Sequence, residues 1–304
     1  MRYAVTGAAG FIGSHLAQIL LERGDEVVGF DCFTDYYDVA LKEENARGLD
    51  VRRVDLSSDA LDFAGFDGIF HLAGQPGVRS FGDVFPLYLR HNMLASQRVF
   101  EAAARDGVKV AFASSSSVYG AAERYPTPED TRPQPLSPYG ITKLGCEHLA
   151  DAHAREFGLE SVVLRFFNAF GPRQRPDMAF TRIVLALAEG REFVLYGDGG
   201  QSRGWTYVTD VCDGAILALE QGSGTYNVGG ALEASMNESI ALLERVSGRT
   251  LDVRREPAVA GDQRRTQADT TRLRALGWAP RVALEEGLER QWDWASRAAT
   301  RTSS

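Results

Sequence analysis

The sequence predicts an α/β protein: a doubly wound parallel sheet followed by a smaller α/β C-terminal domain. Three observations carry this. Short apolar runs alternate with amphipathic helical stretches up to Phe167, a glycine-rich turn joins the first run to the first helix, and the alternation loosens afterwards. Apolar strands separated by helices read as a parallel sheet covered on both faces. The boundaries expected are 1–168 for the first domain and 169–304 for the second, with a segment at about 204–222 returning to the first.

Tyr3-Ala-Val5 is the first strand, and Ile12, Leu16, Ile19 and Leu20 recur at helical spacing until Gly24. Val27–Asp31, Val51–Asp55 and Ile69–Ala73 follow as strands. A helix is expected from about Leu87 to Arg105, then a strand over Val108–Ala113. The next helix carries Tyr139 and Lys143 and runs to about Phe157, before a strand at Ser161–Phe167. Gly171–Pro176 and Gly197–Arg203 read as loops. Asp210–Gln221 is a helix with an acidic start, Ser235 caps another, and Trp292 and Trp294 fall in a closing helix.

With 304 residues and a formal charge of −8, the chain buries a full core and lacks the clustered Lys and Arg of a nucleic-acid surface. Cys32, Cys146 and Cys212 are odd in number and far apart, which fits a reduced, cytoplasmic setting. No apolar stretch reaches the roughly 18 residues of a membrane span. Among five histidines none shows metal-ligand spacing, so no metal is expected.

Thr6–Gly13 has the context that gives a glycine motif meaning, a strand before and a helix after. Gly7 permits the turn, Gly10 the approach of a pyrophosphate to backbone N–H groups, and Gly13 the packing of helix on strand. Phe11, Ile12 and Gly13 open the helix whose positive end receives the anion. Asp31, eighteen residues beyond Gly13, is placed to accept both ribose hydroxyls of NAD and to repel the extra phosphate of NADP. Asp55 and Leu56 bracket the adenine, while Leu72 and Ala73 line the nicotinamide side. Tyr139 and Lys143 stand four apart, hence on one helix face. A neighbouring ammonium favours phenolate, which suits the phenol to act as a base.

These pieces, with Ser114–Gly120, Arg165–Asn168 and Gly197–Asp210, resemble in order the extended short-chain dehydrogenase/reductase family, in its NAD-dependent nucleotide-sugar epimerase and dehydratase branch. The resemblance implies a Rossmann-type first domain binding NAD and a second domain binding the nucleotide sugar. It also implies Tyr139 as acid and base, Lys143 on the nicotinamide ribose, and Ser115 on the reacting hydroxyl. Ser115 is chosen because it stands three residues before Val118-Tyr-Gly120. Asn168 and Arg203 are carried over as diphosphate contacts, and Asp262 as a uridine-ribose contact. Family members usually dimerise through the helices at about 87–105 and 140–157. Leu94, Val99 and Leu149 equally suit such a bundle or the core.

Family 4,6-dehydratases carry Asp-Glu just before Val-Tyr-Gly, and UDP-glucuronate decarboxylases a Glu at the second position; this chain has Ser116-Ser117. Epimerisation needs neither. The run Gly171–Met178, with Gly77-Val-Arg79, resembles bacterial UDP-glucuronate 4-epimerases, which implies conversion of UDP-glucuronate to UDP-galacturonate. Arg79 and Arg175, with Ser115, Ser116 and Ser117, are then expected around the uronate, Arg175 near its carboxylate. Arg173 and Arg175 equally suit diphosphate ligands or solvated charges. Asn168 stands where uronate epimerases often have Thr, so a UDP-glucose or UDP-GlcNAc 4-epimerase stays open. A non-catalytic NAD-binding regulator is the remote alternative.

Overall fold

The structure, a computed structural model, describes residues 1–77, 81–230, 232–258 and 264–302. Its first half runs β1 (Arg2–Thr6), α1 (Phe11–Glu22), β2 (Glu26–Asp31), α2 (Val39–Asn45), β3 (Val51–Arg53), β4 (Gly68–His71), α3 (Phe85–Tyr88), α4 (Ala95–Asp106), β5 (Val110–Ser115), α5 (Pro138–Phe157) and β6 (Ser161–Phe166). Then come β7 (Asn168–Phe170), α6 (Ala179–Glu189), β8 (Phe193–Tyr196), β9 (Ser202–Tyr207), α7 (Val208–Gln221) and β10 (Gly224–Val228). The chain closes with β11 (Leu232–Ser235), α8 (Met236–Ser247), β12 (Val253–Glu256), β13 (Arg265–Thr266), α9 (Thr271–Ala275) and α10 (Leu284–Thr302).

Seven strands make one sheet in the order β10-β6-β5-β4-β1-β2-β3, every neighbour parallel. This is the doubly wound α/β architecture the sequence predicts. β10 comes from beyond residue 168 yet forms one edge of that sheet by pairing with β6. Near it, α7 packs against α1. A four-stranded sheet (β11-β9-β13, with β7 on β9) and the β12-β8 pair build the other side of the molecule.

Strand order reverses between β1 and β4, and in an open parallel sheet ligands bind at the carboxyl ends of the strands beside such a reversal. The backbone after β1 and the backbone after β4 touch there. A Cβ on Gly7, whose φ is +72°, would lie 2.9 Å from Ala73 N.

Several boundaries differ from the sequence-based ones for local reasons. β5 extends to Ser115 because Ser114 and Ser115 still pair with Arg165 and Phe166. β3 stops at Arg53, being an edge strand paired only with Gly29–Asp31. The helix expected over 87–105 is α3 and α4 joined by a widened π-helical stretch, Leu89–Leu94, and there the fully buried Asn92 turns inward. Asp38 Oδ1 accepts the Ala40 N–H at 2.9 Å to start α2, which apolar periodicity did not reveal. Ser235 does cap α8, in a reciprocal capping box with Glu238.

Candidate functional site

At the start of α1, Gly10 is the N-cap and Ser14 N–H makes the first helical bond, to Gly10 O. The N–H groups of Phe11, Ile12 and Gly13 therefore have no intrahelical acceptor. Gly13 is obligatory in this turn, since a Cβ would stand 2.1 Å from Gly7 O. Asp31, at the end of β2, shapes the same loop: its Oδ2 accepts Ala9 N–H at 3.0 Å and its Oδ1 accepts Phe33 N–H at 2.8 Å. Each oxygen keeps a lone pair for a ligand hydroxyl. Free helix-end donors, a close backbone approach and a carboxylate at the second strand end fit a dinucleotide such as NAD.

Asp55 and Leu56 follow β3. Burial would raise the Asp55 carboxyl, but hydrogen bonds from Ser57 and Arg90 outweigh it and hold it below the usual range. Leu56 is buried in a core cluster with Phe30 and Phe63, so its side chain offers a ligand little surface. Leu72 and Ala73 are half-buried beside Gly7. Ala73 N–H donates to Thr6 Oγ1 at 3.1 Å, and that oxygen lies 2.8 Å from His71 Nδ1. Burial, reinforced by the Lys143 charge, lowers His71 to about 3, so the imidazole is neutral and serves as a strut between Thr6 and Ser96.

Ser137 Oγ caps α5 by accepting Gly140 N–H at 3.1 Å, and Pro138 opens the helix. Tyr139 and Lys143 then lie one turn apart. Lys143 is buried; its Nζ donates to Ala113 O at 2.8 Å and lies 5.9 Å from the centre of the Tyr139 ring. The half-exposed Tyr139 packs its ring 6.2 Å from Tyr88. Ala113 precedes Ser115 by two residues, so the bond from Lys143 fixes the strand end that presents the serine. Ser115 Oγ accepts from Ser117 N–H at 3.2 Å and lies 2.9 Å from Ser117 Oγ. Ser116 and Ser117 form a short 3-10 turn with Val118 and Tyr119.

A buried polar network that sequence reasoning missed stands behind these groups. Glu147, one further turn along α5, receives two bonds from Arg165 of β6, at 3.0 and 2.7 Å, and another from Ser114 Oγ. Arg165 also donates to Tyr119 Oη at 3.0 Å, and Tyr119 donates to Asn227 Oδ1 at 2.7 Å. Burial pushes the Tyr119 phenol up to about 12. Asn92 is the other missed residue: its side chain holds Gln75 at both N–H (2.7 Å) and C=O (3.2 Å) and reaches Thr142. The spacing of Tyr139, Lys143 and Glu147 held a signal for Glu147; Asn92 had none, because it depends on the widened turn.

On the substrate side, Asn168 and Arg203 lie on the adjacent strands β7 and β9. Asn168 Nδ2 donates to Thr266 Oγ1 at 2.9 Å, and Arg203 donates to Ser202 O at 2.8 Å. Arg173 reaches back to α1, to Ser14 Oγ at 3.4 Å and Gln18 Oε1 at 3.1 Å. Arg175 forms a fork with Asp177, at 3.0 and 3.1 Å, and its Cζ lies 5.9 Å from the centre of the Tyr36 ring. Burial lowers this guanidinium, but the hydrogen bonds and charge of Asp177 outweigh it and leave it raised. Arg79 and Asp262 lie outside the described residues.

Comparison with known proteins agrees with this geometry. A Bacillus subtilis (strain 168) protein named as an uncharacterized UDP-glucose epimerase is 40% identical over 303 residues, covering 95% of this chain and 96% of its own. A probable UDP-glucuronate 4-epimerase of Rhizobium meliloti (strain 1021) is 34% identical over 329 residues, covering 97% and 96%. The crystal structure of a Bacillus cereus UDP-glucuronic acid 4-epimerase with UDP-glucuronic acid and NAD superposes with a TM-score of 0.92 at 37% identity, covering 98% of this chain and 100% of that one. Residues 3–229 match the NAD dependent epimerase/dehydratase family, and the chain belongs to that family.

Proposed function

We propose that this chain is an NAD-dependent UDP-sugar 4-epimerase that interconverts UDP-glucuronate and UDP-galacturonate through a 4-keto intermediate. One observation carries the chemistry. Tyr139 and Lys143 share a face of α5, with Lys143 Nζ bonded to Ala113 O of the strand that ends at Ser115, the strand next to β4 and so one removed from the β1/β4 switch point. In this reading Gly7, Gly10, Phe11, Ile12, Gly13, Asp31, Asp55, Leu56, Leu72 and Ala73 surround the NAD. When bound, NAD supplies reversible oxidation at the sugar C4.

Tyr139 Oη takes the C4 hydroxyl proton and returns it after the keto sugar has turned over about its diphosphate linkage. Lys143 stabilises the phenolate and holds the nicotinamide ribose, and Ser115 orients the reacting hydroxyl. Asn168 and Arg203, with Arg79 and Asp262, hold the nucleotide and sugar. A uronate yields a β-keto acid at this stage, which loses carbon dioxide if its carboxylate stands perpendicular to the carbonyl plane. Ser116, Ser117 and Arg175 restrain it.

The family relatives with UDP-glucuronate in their names support the uronate. Favouring a second reading, a neutral UDP-glucose or UDP-GlcNAc epimerase, are Asn168 and the fact that Arg175 already has a carboxylate partner. Incubating the enzyme with each of the three UDP-sugars and resolving the products decides between them. Tyr139→Phe is expected to lower kcat by about 10²- to 10⁴-fold while NAD stays bound; near-native turnover by this variant would refute the assignment.

The proposal extends to a homodimer built on the helical stretch at about 87–105 and on α5, supported by the exposure of Leu89, Leu94 and Ile141 there. Val99 is fully buried and belongs to the core instead. A cytoplasmic setting is supported by three unpaired cysteines and by the absence, among the described residues, of a helix long and apolar enough to cross a membrane.

A further inference from the structure

Two loops from opposite halves of the molecule meet at Arg175. The first follows Asp31. From α2, the buried Lys42 donates to Thr34 O at 2.5 Å and Thr34 Oγ1 at 2.9 Å in that loop, and lies 4.6 Å from the centre of the Tyr37 ring. Tyr36 is thus carried on an anchored segment. The second loop joins β7 to α6 and is anchored by the buried Gln174, which donates to Ala169 O at 2.9 Å and accepts from Thr181 N–H (3.1 Å) and Gln291 (3.0 Å). The backbone on both sides is fixed, and the direction of the Arg175 head is left to its own contacts.

Those contacts form a closed ring of three residues. Arg175 gives Nε to Asp177 Oδ1 and Nη2 to Asp177 Oδ2, while Tyr36 Oη donates to the same Oδ2 at 3.3 Å. The guanidinium lies over the Tyr36 ring. Among the described residues only one edge of the fork is used, which leaves Nη1 and the outer hydrogen of Nη2 for a second anion. Tyr139 lies within electrostatic reach of Arg175.

We propose that Tyr36 and Asp177 are specificity-determining positioning residues, which hold the spare edge of Arg175 ready for an acidic UDP-sugar. This rests on the uronate reading given above. Two opposing effects decide the sign. Asp177 repels a substrate carboxylate, but its side chain is 43% exposed and water screens that repulsion. Left unrestrained, an arginine loses rotamer freedom when it grips a ligand, and a fixed fork has lost it already. Pre-ordering wins.

Asp177→Asn and Tyr36→Phe are to be compared with the native enzyme, with its NAD, on UDP-glucuronate and UDP-glucose. Both variants are expected to raise KM for UDP-glucuronate about three- to tenfold with kcat within about twofold. Kinetics on UDP-glucose should change less, and Asp177→Glu should recover part of the loss. A lowered KM for UDP-glucuronate, no change, or equal change on both substrates overturns the inference while the uronate reading stands. A native enzyme that leaves UDP-glucuronate untouched sinks both.

Discussion

Gly13 has no room for a methyl group, because the carbonyl it would strike belongs to Gly7, in the turn that must also meet the backbone of Ala73. Gly13→Ala can be housed only by moving α1 off the turn, which costs about 1–3 kcal/mol. The NAD content of the purified protein and its affinity on titration should fall about tenfold or more. Binding at the native level would contradict the cradle assigned to Phe11–Gly13. At this scale the sequence is informative wherever function depends on near neighbours. The glycine turn, and Tyr139 with Lys143, show themselves through spacing alone. Tyr36 and Asp177 give no such sign, since 141 residues separate them and only the folded chain joins them.

Helix α5 is held to the sheet by more than its apolar face. Glu147 and Arg165 are both buried and join α5 to β6, while Ser114 ties the same carboxylate to β5. Burial pulls the Arg165 guanidinium down, but its bonds to Glu147 outweigh that and raise it. Removing one partner leaves the other charged and dry. Glu147→Ala should therefore cost about 3–5 kcal/mol of stability, read from urea unfolding, with Glu147→Gln less damaging. A loss below about 1 kcal/mol would contradict the clamp. Helix α1 was legible from its apolar periodicity and the stop at Gly24, and α5 from the one-turn spacing of Tyr139 and Lys143. The widened turn at Leu89–Leu94 was not, because it is a response to the contacts of Asn92 with Gln75 and Thr142.

For the whole molecule, the fold class was readable because short apolar strands buried on both faces alternate with amphipathic helices in order along the chain. The second half was harder. β7, β8 and β13 are of two to four residues, too short to impose a period, and each is defined by the strand it joins. The proposed homodimer belongs to this scale as well. Leu94 and Ile141 are 46% and 55% exposed, and a charge placed at an interface centre usually costs about 2 kcal/mol or more. Leu94→Glu should shift the protein from dimer toward monomer in light scattering. An unaltered mass for the variant would place the interface elsewhere.

Because β10 closes the edge of the large sheet only after the chain has left it and returned, the order of synthesis matters. A nascent polypeptide that has emerged only as far as β6 presents that strand with an open hydrogen-bonding edge. Residues 167–223 must pass the ribosome before the missing neighbour arrives. Until then the outer edge of β6 has no strand of its own chain to pair with.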